Sequence, residues 1–488
     1  MSSLKTNVVL NFVNTLTGIV FPVITFPYAA RVLLPEGIGT FNFLQSIVTY
    51  IVLLTSLGIP MYAVREVARY RDDIQRRNKV SVEIILLSTW LSIGGYVIIW
   101  ALGEFVPQIH SQLALFYVLS LTIFFTNIGV NWFYQAVEDF KYITVRALCF
   151  RVLAAVSLFL FVKSADDLII YAFVVVGSTV GNNFINFIHL RKYIPWSQID
   201  WHSLSVWCHL KPSLRIFVFN LVTSIYLNLN TVMLGFMQGD TAVGLYTAGN
   251  KLSHIILNVV ASLGVVMLPR CSNLIETGKW GEFAAITRKS YRFVWAVSLP
   301  SVIGLMLLAQ PVISIFCGKD FVDATIVLYW TAPVILFIGL SNVIGLQVLY
   351  PLGKENLVIW SVIGGALFNL VANLVLIPLW SYVGAAIATF IAEFVIFLIQ
   401  IAWGKKYIPF RVFEKGHLNY WIASFVIVII VLLYHLFHSN VNENVALILC
   451  VLTGGSAYFL ILCWMKDSLM YDVIGYVRNL LKSNERAR

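Results

Sequence analysis

Long apolar stretches recur from one end of the chain to the other, separated by short polar segments. A helix rises 1.5 Å per residue, so each stretch is long enough to cross ~30 Å of hydrocarbon. The pattern predicts an all-α integral membrane protein with about fourteen transmembrane helices. The predicted spans are 7–29, 40–60, 80–103, 112–134, 145–163, 168–189, 213–236, 243–268, 291–316, 326–349, 357–378, 383–403, 419–437 and 445–465.

Composition agrees with a membrane protein and excludes a soluble one. Of the 488 residues, 59% are hydrophobic and only 11% are charged, against about 25% charged in typical soluble chains. The six cysteines are scattered without a Cys-x-x-Cys pair, so no structural disulfide is expected.

The net charge of +10 is explained by topology. With the N-terminus inside, most of the 33 Lys and Arg residues fall in predicted cytoplasmic loops or the tail, Lys141 and Arg146 among them. This is the positive-inside pattern, so we expect both termini in the cytoplasm and no nucleic-acid partner. Outer connections are short, beginning with residues 30–39.

An internal repeat divides the chain. A shift of 205 residues places Ile38-Gly39 on Val243-Gly244 and Arg65 on Arg270. Parallel repeats are a usual transporter plan, with the site between the halves. The predicted parts are an N-lobe at 1–190, a cytoplasmic interfacial linker at 191–212, a C-lobe at 213–404, two further helices in 405–465 and an amphipathic cytoplasmic tail at 466–488.

One predicted helix carries polar residues at steps of three and four, which align on one face. A lysine inside a span costs roughly 2.5–3.5 kcal/mol to insert unless it faces water or a partner. We therefore expect this polar stripe to face a wet cavity that holds an anion. The stripe consists of Gly244, Thr247, Lys251, His254, Asn258 and Ser262.

Three segments resemble the Wzx-type polysaccharide flippases, whose superfamily also contains multidrug-and-toxin extruders and the lipid II flippase. The segments are 31–39, 231–252 and 383–389. The resemblance implies two six-helix lobes around a central cavity, and two C-terminal helices with a groove for an isoprenoid tail. It also implies alternating-access transport of undecaprenyl-pyrophosphate-linked oligosaccharide for cell-surface polysaccharide. One departure is Asn230, where many relatives have an acid, which puts ion coupling through that position in doubt.

Candidate site residues each have a structural alternative. Lys251 is a pyrophosphate contact or a lysine that extends to the interface. Arg215 is a substrate contact or an interfacial arginine, and Arg31 anchors a loop or binds substrate. Arg151 lines the lumen or pairs with Glu83. The predicted substrate-binding set is Lys251, Arg215, Arg151, Arg31, His254, Asn258, Asn228, Asn42 and Asn14.

Glu393 lies deep in a predicted span and is either an ion-coupling carboxylate or a static partner for a cation. No Walker-type loop or His-Glu-x-x-His motif occurs, and the outer loops are too short for a glycosyltransferase site. We therefore expect no catalytic residue, cofactor or metal. The expected partners are a lipid-linked glycan, the bilayer and a downstream polymerase or ligase. A cation-coupled multidrug exporter of the same fold is the alternative.

Overall fold

The computed structural model describes residues 4–437, 443–470 and 475, and it describes the backbone alone for 4–9, 11–12, 19, 198, 218–227, 265, 437 and 443. These residues form helices joined by short turns, without a β-strand in the described part. The all-α prediction is confirmed. By their internal contacts the residues divide into two compact units, Met1–Thr247 and Ala248–Arg488.

Two helices of the first unit begin at a capping aspartate. The Asp73 and Asp139 carboxylates accept hydrogen bonds from the Arg76 and Tyr142 N–H groups, at 3.0 and 3.3 Å. Such oxygens satisfy N–H groups that a helix start leaves unpaired. The helices are α1 Leu4–Ser56, α2 Ile59–Arg69, α3 Ile74–Phe105, α4 Pro107–His110, α5 Leu113–Ile128, α6 Asn131–Ala136, α7 Phe140–Phe161, α8 Leu168–His189, α9 Leu210–Gln238 and the start of α10, Asp240–Glu276.

Helix α1 is interrupted at Leu34, where φ is 60° and ψ is 174°. Pro35 follows directly, and a proline disfavours the helical conformation of the preceding residue while fitting the first turn of a new helix. The predicted outer loop at 30–39 is therefore wrong in extent, because two helices meet at a single residue.

Polar contacts help to hold the first unit together. Helix α1 packs against α3, α5, α7 and α9. The Asn127 amide of α5 donates to Ser92 Oγ of α3 at 2.8 Å and to Thr55 Oγ1 of α1 at 3.1 Å. Interhelical hydrogen bonds of this kind contribute about 1 kcal/mol each in membranes. Asn127 is thus a packing residue that joins three helices.

The connection before α9 consists of short 3₁₀ turns laid against the first unit. Trp196, Leu204 and Val206 pack on an apolar cluster formed by α2, α3 and α6. Trp201 and Trp207 are more than half exposed, as expected of indoles at an interface. Helix α9 packs against α1 and α2 of the first unit. The boundary between the two units, after Thr247, therefore lies further along the chain than the predicted linker at 191–212. The predicted lobes with their boundary at 191–212 stay a prediction.

The second unit ends in a pair of packed helices. Helices α16 and α17 contact each other, and α16 contacts α11. Helix α15 is interrupted at Ser381, where φ is 50°, three residues after Pro378. A π-helical turn, Val343–Leu349, precedes it. The helices are α11 Trp280–Leu307, α12 Ala309–Phe316, α13 Thr325–Thr331, α14 Val334–Asn342, α15 Glu355–Gly404, α16 His417–Phe437 and α17 Glu443–Trp464.

Within the described residues, eleven helices are long and apolar enough to cross a membrane. Two of these are divided at Leu34 and Ser381, and each half exceeds the ~20 residues that a span needs. With α9, which has 29 residues, the number agrees with the predicted fourteen. The chain is a multi-pass membrane protein. The predicted tail from 466 lies mostly outside the described residues.

Candidate functional site

The predicted polar stripe lies on α10, and its side chains are accessible. Lys251 and His254 are half-buried and Asn258 is exposed, whereas Leu252 and Leu257 between them are buried. This alternation matches the helical period, so the stripe occupies the accessible face of the helix. Lys251 lies about three turns inside a membrane-length helix. A cation at that depth on an accessible face is a candidate functional group.

Four other predicted binding residues lie on α1 and α9. Arg31 and Arg215 are exposed, and Asn42 and Asn228 are half-buried. The Asn42 amide donates to the Ile38 carbonyl of its own helix at 2.7 Å. All four positions are accessible, but their joint use as a binding surface stays a prediction.

The structure brings two predicted site residues together, Arg151 and Asn14. The Arg151 Nη1 donates to the Asn14 carbonyl at 2.9 Å and to its Oδ1 at 3.1 Å, and also to Thr17 Oγ1. The alternative pairing of Arg151 with Glu83 is wrong, because Glu83 Oε2 lies 3.0 Å from His209 Nε2. Arg151 therefore links α7 to α1 through neutral oxygens, which do not cancel its positive charge.

Arg146 organises a second cluster that sequence reasoning missed, because it counted this residue among loop cations. Arg146 is only 6% exposed. Its Nε donates to Asn182 Oδ1 at 2.6 Å and its Nη2 to Asn131 Oδ1 at 2.8 Å. The Asn186 amide donates to the same Asn131 oxygen at 2.8 Å. The sequence signal was the pair Asn182 and Asn186, one helical turn apart. In the structure these two asparagines serve interhelical hydrogen bonds.

The second half of α1 and the first turns of α10 touch through their backbones, at what we call the glycine crossing. A Cβ atom on Gly39 would lie 1.7 Å from the Asp240 carbonyl oxygen, and one on Gly244 would lie 1.9 Å from that of Pro35. Only glycine fits at such distances. Gly39 and Gly244 are related by the 205-residue repeat, and so are Pro35 and Asp240. The contact is reciprocal, because equivalent residues of the two repeat copies touch each other here.

An apolar cavity of about 400 Å³ lies in the second unit, lined by α11, α12, α16 and α17 and bordered by Ile256 of α10. Its hydroxyl groups are already satisfied, since Tyr458 donates to the Ala296 carbonyl at 2.8 Å and Ser301 to that of Val297 at 2.7 Å. We call this the apolar groove. Its lining suits a hydrocarbon chain rather than a polar ligand.

Glu393, the predicted ion-coupling residue, is 6% exposed in the second half of α15. That half is joined to the first half by a hydrogen bond from Gln400 Nε2 to Ser361 Oγ at 3.2 Å. A buried carboxylate in a membrane helix is a candidate functional group. Both interpretations, ion coupling and a static partner, stay predictions.

These features can be set beside known proteins. The sequence model of the family described as polysaccharide biosynthesis protein matches residues 4–275, more than half of the chain. The chain belongs to this polysaccharide biosynthesis family. A relative from Escherichia coli (strain K12), named as a candidate O-antigen transporter, is 24% identical over 350 residues, which are 71% of this chain and 83% of that protein. The resemblance to Wzx-type flippases is confirmed at the level of the family.

Solved structures show the fold of this family member. The lipid II flippase MurJ in an inward closed conformation has a TM-score of 0.71 at 15% identity, with 95% of this chain and 100% of that chain covered. An inward-facing multidrug resistance MATE transporter of the MOP superfamily has a TM-score of 0.64 at 14% identity, with 80% and 94% covered. The chain therefore has the MATE-like fold that the sequence predicted.

Proposed function

We propose that this protein is a flippase for undecaprenyl-pyrophosphate-linked oligosaccharide repeat units. It moves them from the cytoplasmic to the outer leaflet of a bacterial inner membrane, where a downstream polymerase or ligase uses them for cell-surface polysaccharide. Family membership, the relative named as an O-antigen transporter and the fold shared with a lipid II flippase support this proposal. The protein acts as a transporter and not as an enzyme, with both termini in the cytoplasm.

The observation that carries the proposal is the polar stripe on α10, with Lys251 at its centre. A pyrophosphate is a compact anion, and one charge pair at 4 Å is worth about 4 kcal/mol at an effective dielectric constant of 20. His254 and Asn258 continue the same face and offer hydrogen bonds to phosphate or sugar. A multidrug exporter of cationic compounds would instead need carboxylates at this place, so the stripe favours the lipid-linked anion.

The lipid tail needs an apolar path beside the head group, and the apolar groove supplies one. It is lined by the two C-terminal helices, α16 and α17, and reaches α10 at Ile256, which lies at the level of His254 and Asn258 but on another side of that helix. Each buried CH₂ contributes about 0.8 kcal/mol. Even a short segment of isoprenoid chain in the groove would therefore add substantially to substrate affinity.

Alternating access is supported by the glycine crossing. It lies at the helix ends that charge distribution predicts to be outside, and it closes them by backbone contact. A contact made by small residues can separate and re-form without unfolding long side chains. We propose that this crossing opens when the head group leaves toward the outer leaflet.

Further residues take supporting roles in this proposal. The Arg151–Asn14 cluster, Arg31 and Arg215 add positive charge along the substrate path, and Asn42 and Asn228 contact sugars. Glu393 is proposed to couple transport to an ion gradient. Their accessibility or burial in the structure is compatible with these roles.

Isoprenoid-linked glycans extracted from a deletion strain test the function. We expect complete repeat units to accumulate on the cytoplasmic face of the inner membrane while surface polysaccharide is lost. Re-expression of the protein must restore both. An unchanged glycan pool together with new sensitivity to cationic drugs would instead establish the multidrug alternative.

A further inference from the structure

Three side chains with metal-ligating atoms meet where the linker joins the first unit. Glu83 of α3, with Cys208 and His209 of the last linker turn, each place one ligand atom within 4.8 Å of the other two. The Glu83 and His209 side chains are 5% and 6% exposed, whereas Cys208 is exposed. Carboxylate, imidazole and thiolate are the three ligand types that zinc takes from proteins.

Hydrogen bonds from neighbouring residues orient the His209 and Glu83 side chains, as such bonds orient ligands in metal sites. The Tyr62 hydroxyl lies 2.7 Å from His209 Nδ1, which leaves Nε2 facing Glu83 Oε2 at 3.0 Å. The Ser205 N–H donates to the other carboxylate oxygen, Oε1, at 2.6 Å. Such partners fix the tautomer and the direction of a ligand. One nitrogen of His209 and one oxygen of Glu83 are thus held toward the same small volume.

The distance between the His209 and Glu83 ligand atoms is close to that in a tetrahedral centre. Bonds of about 2.0–2.3 Å to zinc place its ligand atoms roughly 3.3–3.6 Å apart, and Nε2 and Oε2 are already 3.0 Å apart. The thiol of Cys208 now donates to the Ser205 carbonyl at 2.8 Å. Because Cys208 is exposed, its sulfur can turn toward the other two atoms without disturbing the core. The open side leaves the fourth position to water.

We propose that Glu83, Cys208 and His209 form a zinc site that fastens the linker to α3. The turn that carries Cys208 and His209 leads directly into α9 at Leu210. Zinc bound here ties the start of α9 to α3 and, through the Tyr62 hydrogen bond, to α2. The linker is predicted to be cytoplasmic, where thiols stay reduced and able to bind metal.

Cobalt titration of the purified, chelator-treated full-length protein tests this site. Tetrahedral cobalt bound by a thiolate gives a near-ultraviolet charge-transfer band together with visible d–d bands. We expect one equivalent of Co²⁺ to produce both, and Zn²⁺ to displace it. Cys208→Ser should abolish the charge-transfer band and weaken zinc binding at least ~10-fold. Cys149→Ser, which changes another exposed thiol on α7, should leave both unchanged.

A second variant separates a metal site from a simple His–Glu hydrogen bond. Tyr62→Phe should preserve the spectrum and weaken the metal about 10–100-fold, as loss of an outer partner does. Zinc should raise the melting temperature of the unaltered protein and not that of Cys208→Ser. No cobalt band, a charge-transfer band that survives Cys208→Ser, or equal stabilisation of both proteins would overturn the proposal. None of these readouts depends on transport.

Discussion

On one face of α10, the first turns and the middle of the helix carry opposite kinds of residue. At Gly244 the backbone touches Pro35, and any side chain would prevent the contact. Two turns further, Lys251 presents a long charged side chain on the accessible face. Seven residues bring a helix back to nearly the same direction, so both residues point the same way. One helix face therefore carries first a backbone contact and then the proposed binding surface.

The repeat shows which of these two features is symmetric. Gly39 and Gly244 make equivalent contacts, so the glycine crossing uses both copies alike. The position equivalent to Lys251 in the first copy is Ser46, which is only 8% exposed. The closing contact is duplicated, whereas the cation occurs in one copy only. This difference suits a transporter whose two halves move alike but bind a single anionic head group.

Replacing Gly244 by a larger residue should reduce export more than any other change proposed below. In Gly244→Leu, a Cβ atom that would lie 1.9 Å from Pro35 O forces the two backbones apart. Overpacking of this kind costs about 1–3 kcal/mol, so we expect export to fall roughly 10–100-fold or more. Surface polysaccharide in a complemented deletion strain measures the effect.

Gly177→Leu is the matched control for that experiment, because nothing lies within 4 Å of a Cβ at Gly177 on α8. Membrane levels of both variants should equal those of the unaltered protein. Undiminished export by a normally expressed Gly244→Leu protein would show that the glycine crossing is not part of transport.

Removing the charge of Lys251 should have the next largest effect. Lys251→Gln loses one charge pairing with the pyrophosphate but keeps hydrogen-bond donors at the same position, so we expect a roughly 10-fold loss of export. The same strain assay measures it, with Lys319→Gln as control because Lys319 is an exposed cation elsewhere. Full export with glutamine at 251 would remove the contrast between the two copies of the repeat.

The sequence predicted the helices and the polar stripe because both follow from periodicity. It also revealed the repeat that relates Gly39 to Gly244. It could not predict their contact, since a periodic pattern does not show which helices meet. The break in α1 was missed for a related reason. A single residue, Leu34, suffices to change the helix direction, so no run of polar residues marks it.

The hydrogen-bond partners of charged residues were the features that the sequence predicted least well. The sequence allows Glu83 as a partner for Arg151, yet Glu83 lies beside His209, 126 residues away in the chain. Arg151 uses the oxygens of Asn14 and Thr17 instead. Arginine has five donors and accepts many oxygen partners, so its sequence position alone does not select one.

Filling the apolar groove should reduce export moderately. Gly455 of α17 lines it, and nothing lies within 4 Å of a Cβ there, so Gly455→Phe can be accommodated. Displacing one or two methylene groups of the lipid costs about 0.8–1.6 kcal/mol, which corresponds to a roughly 4–15-fold loss. The glycan export assay measures this, and Gly94→Phe on α3, equally unobstructed, is the control. If both variants export normally, the lipid tail does not use this groove, and the polar stripe alone carries recognition.

The smallest effect on export is expected at the ion pairs of Glu414. Unlike the glycine crossing, these ion pairs are expected to stay closed during transport. Glu414 receives hydrogen bonds from Arg288 and Arg292, the latter at 2.8 Å from Oε2. Burial opposes ionisation of Glu414, but the two guanidinium groups prevail and hold its pKa below the usual value. Because the folded-state pKa is lowered, this stabilisation is present above the unfolded pKa of about 4.3 and is lost as pH falls through the folded value.

Glu414→Gln should therefore lower stability by about 1 kcal/mol at pH 7 and progressively less toward pH 3, with export at neutral pH unchanged. Thermal unfolding in detergent across this pH range measures the difference. Glu282→Gln, which breaks an exposed pair with Lys279 at 3.5 Å, is the control and should change little at any pH. A loss of export in Glu414→Gln at normal protein levels would mean that these ion pairs also open. The distinction between a moving contact at Gly244 and a fixed one at Glu414 would then fail, because ion pairs as well as bare backbone contacts would have to open during transport.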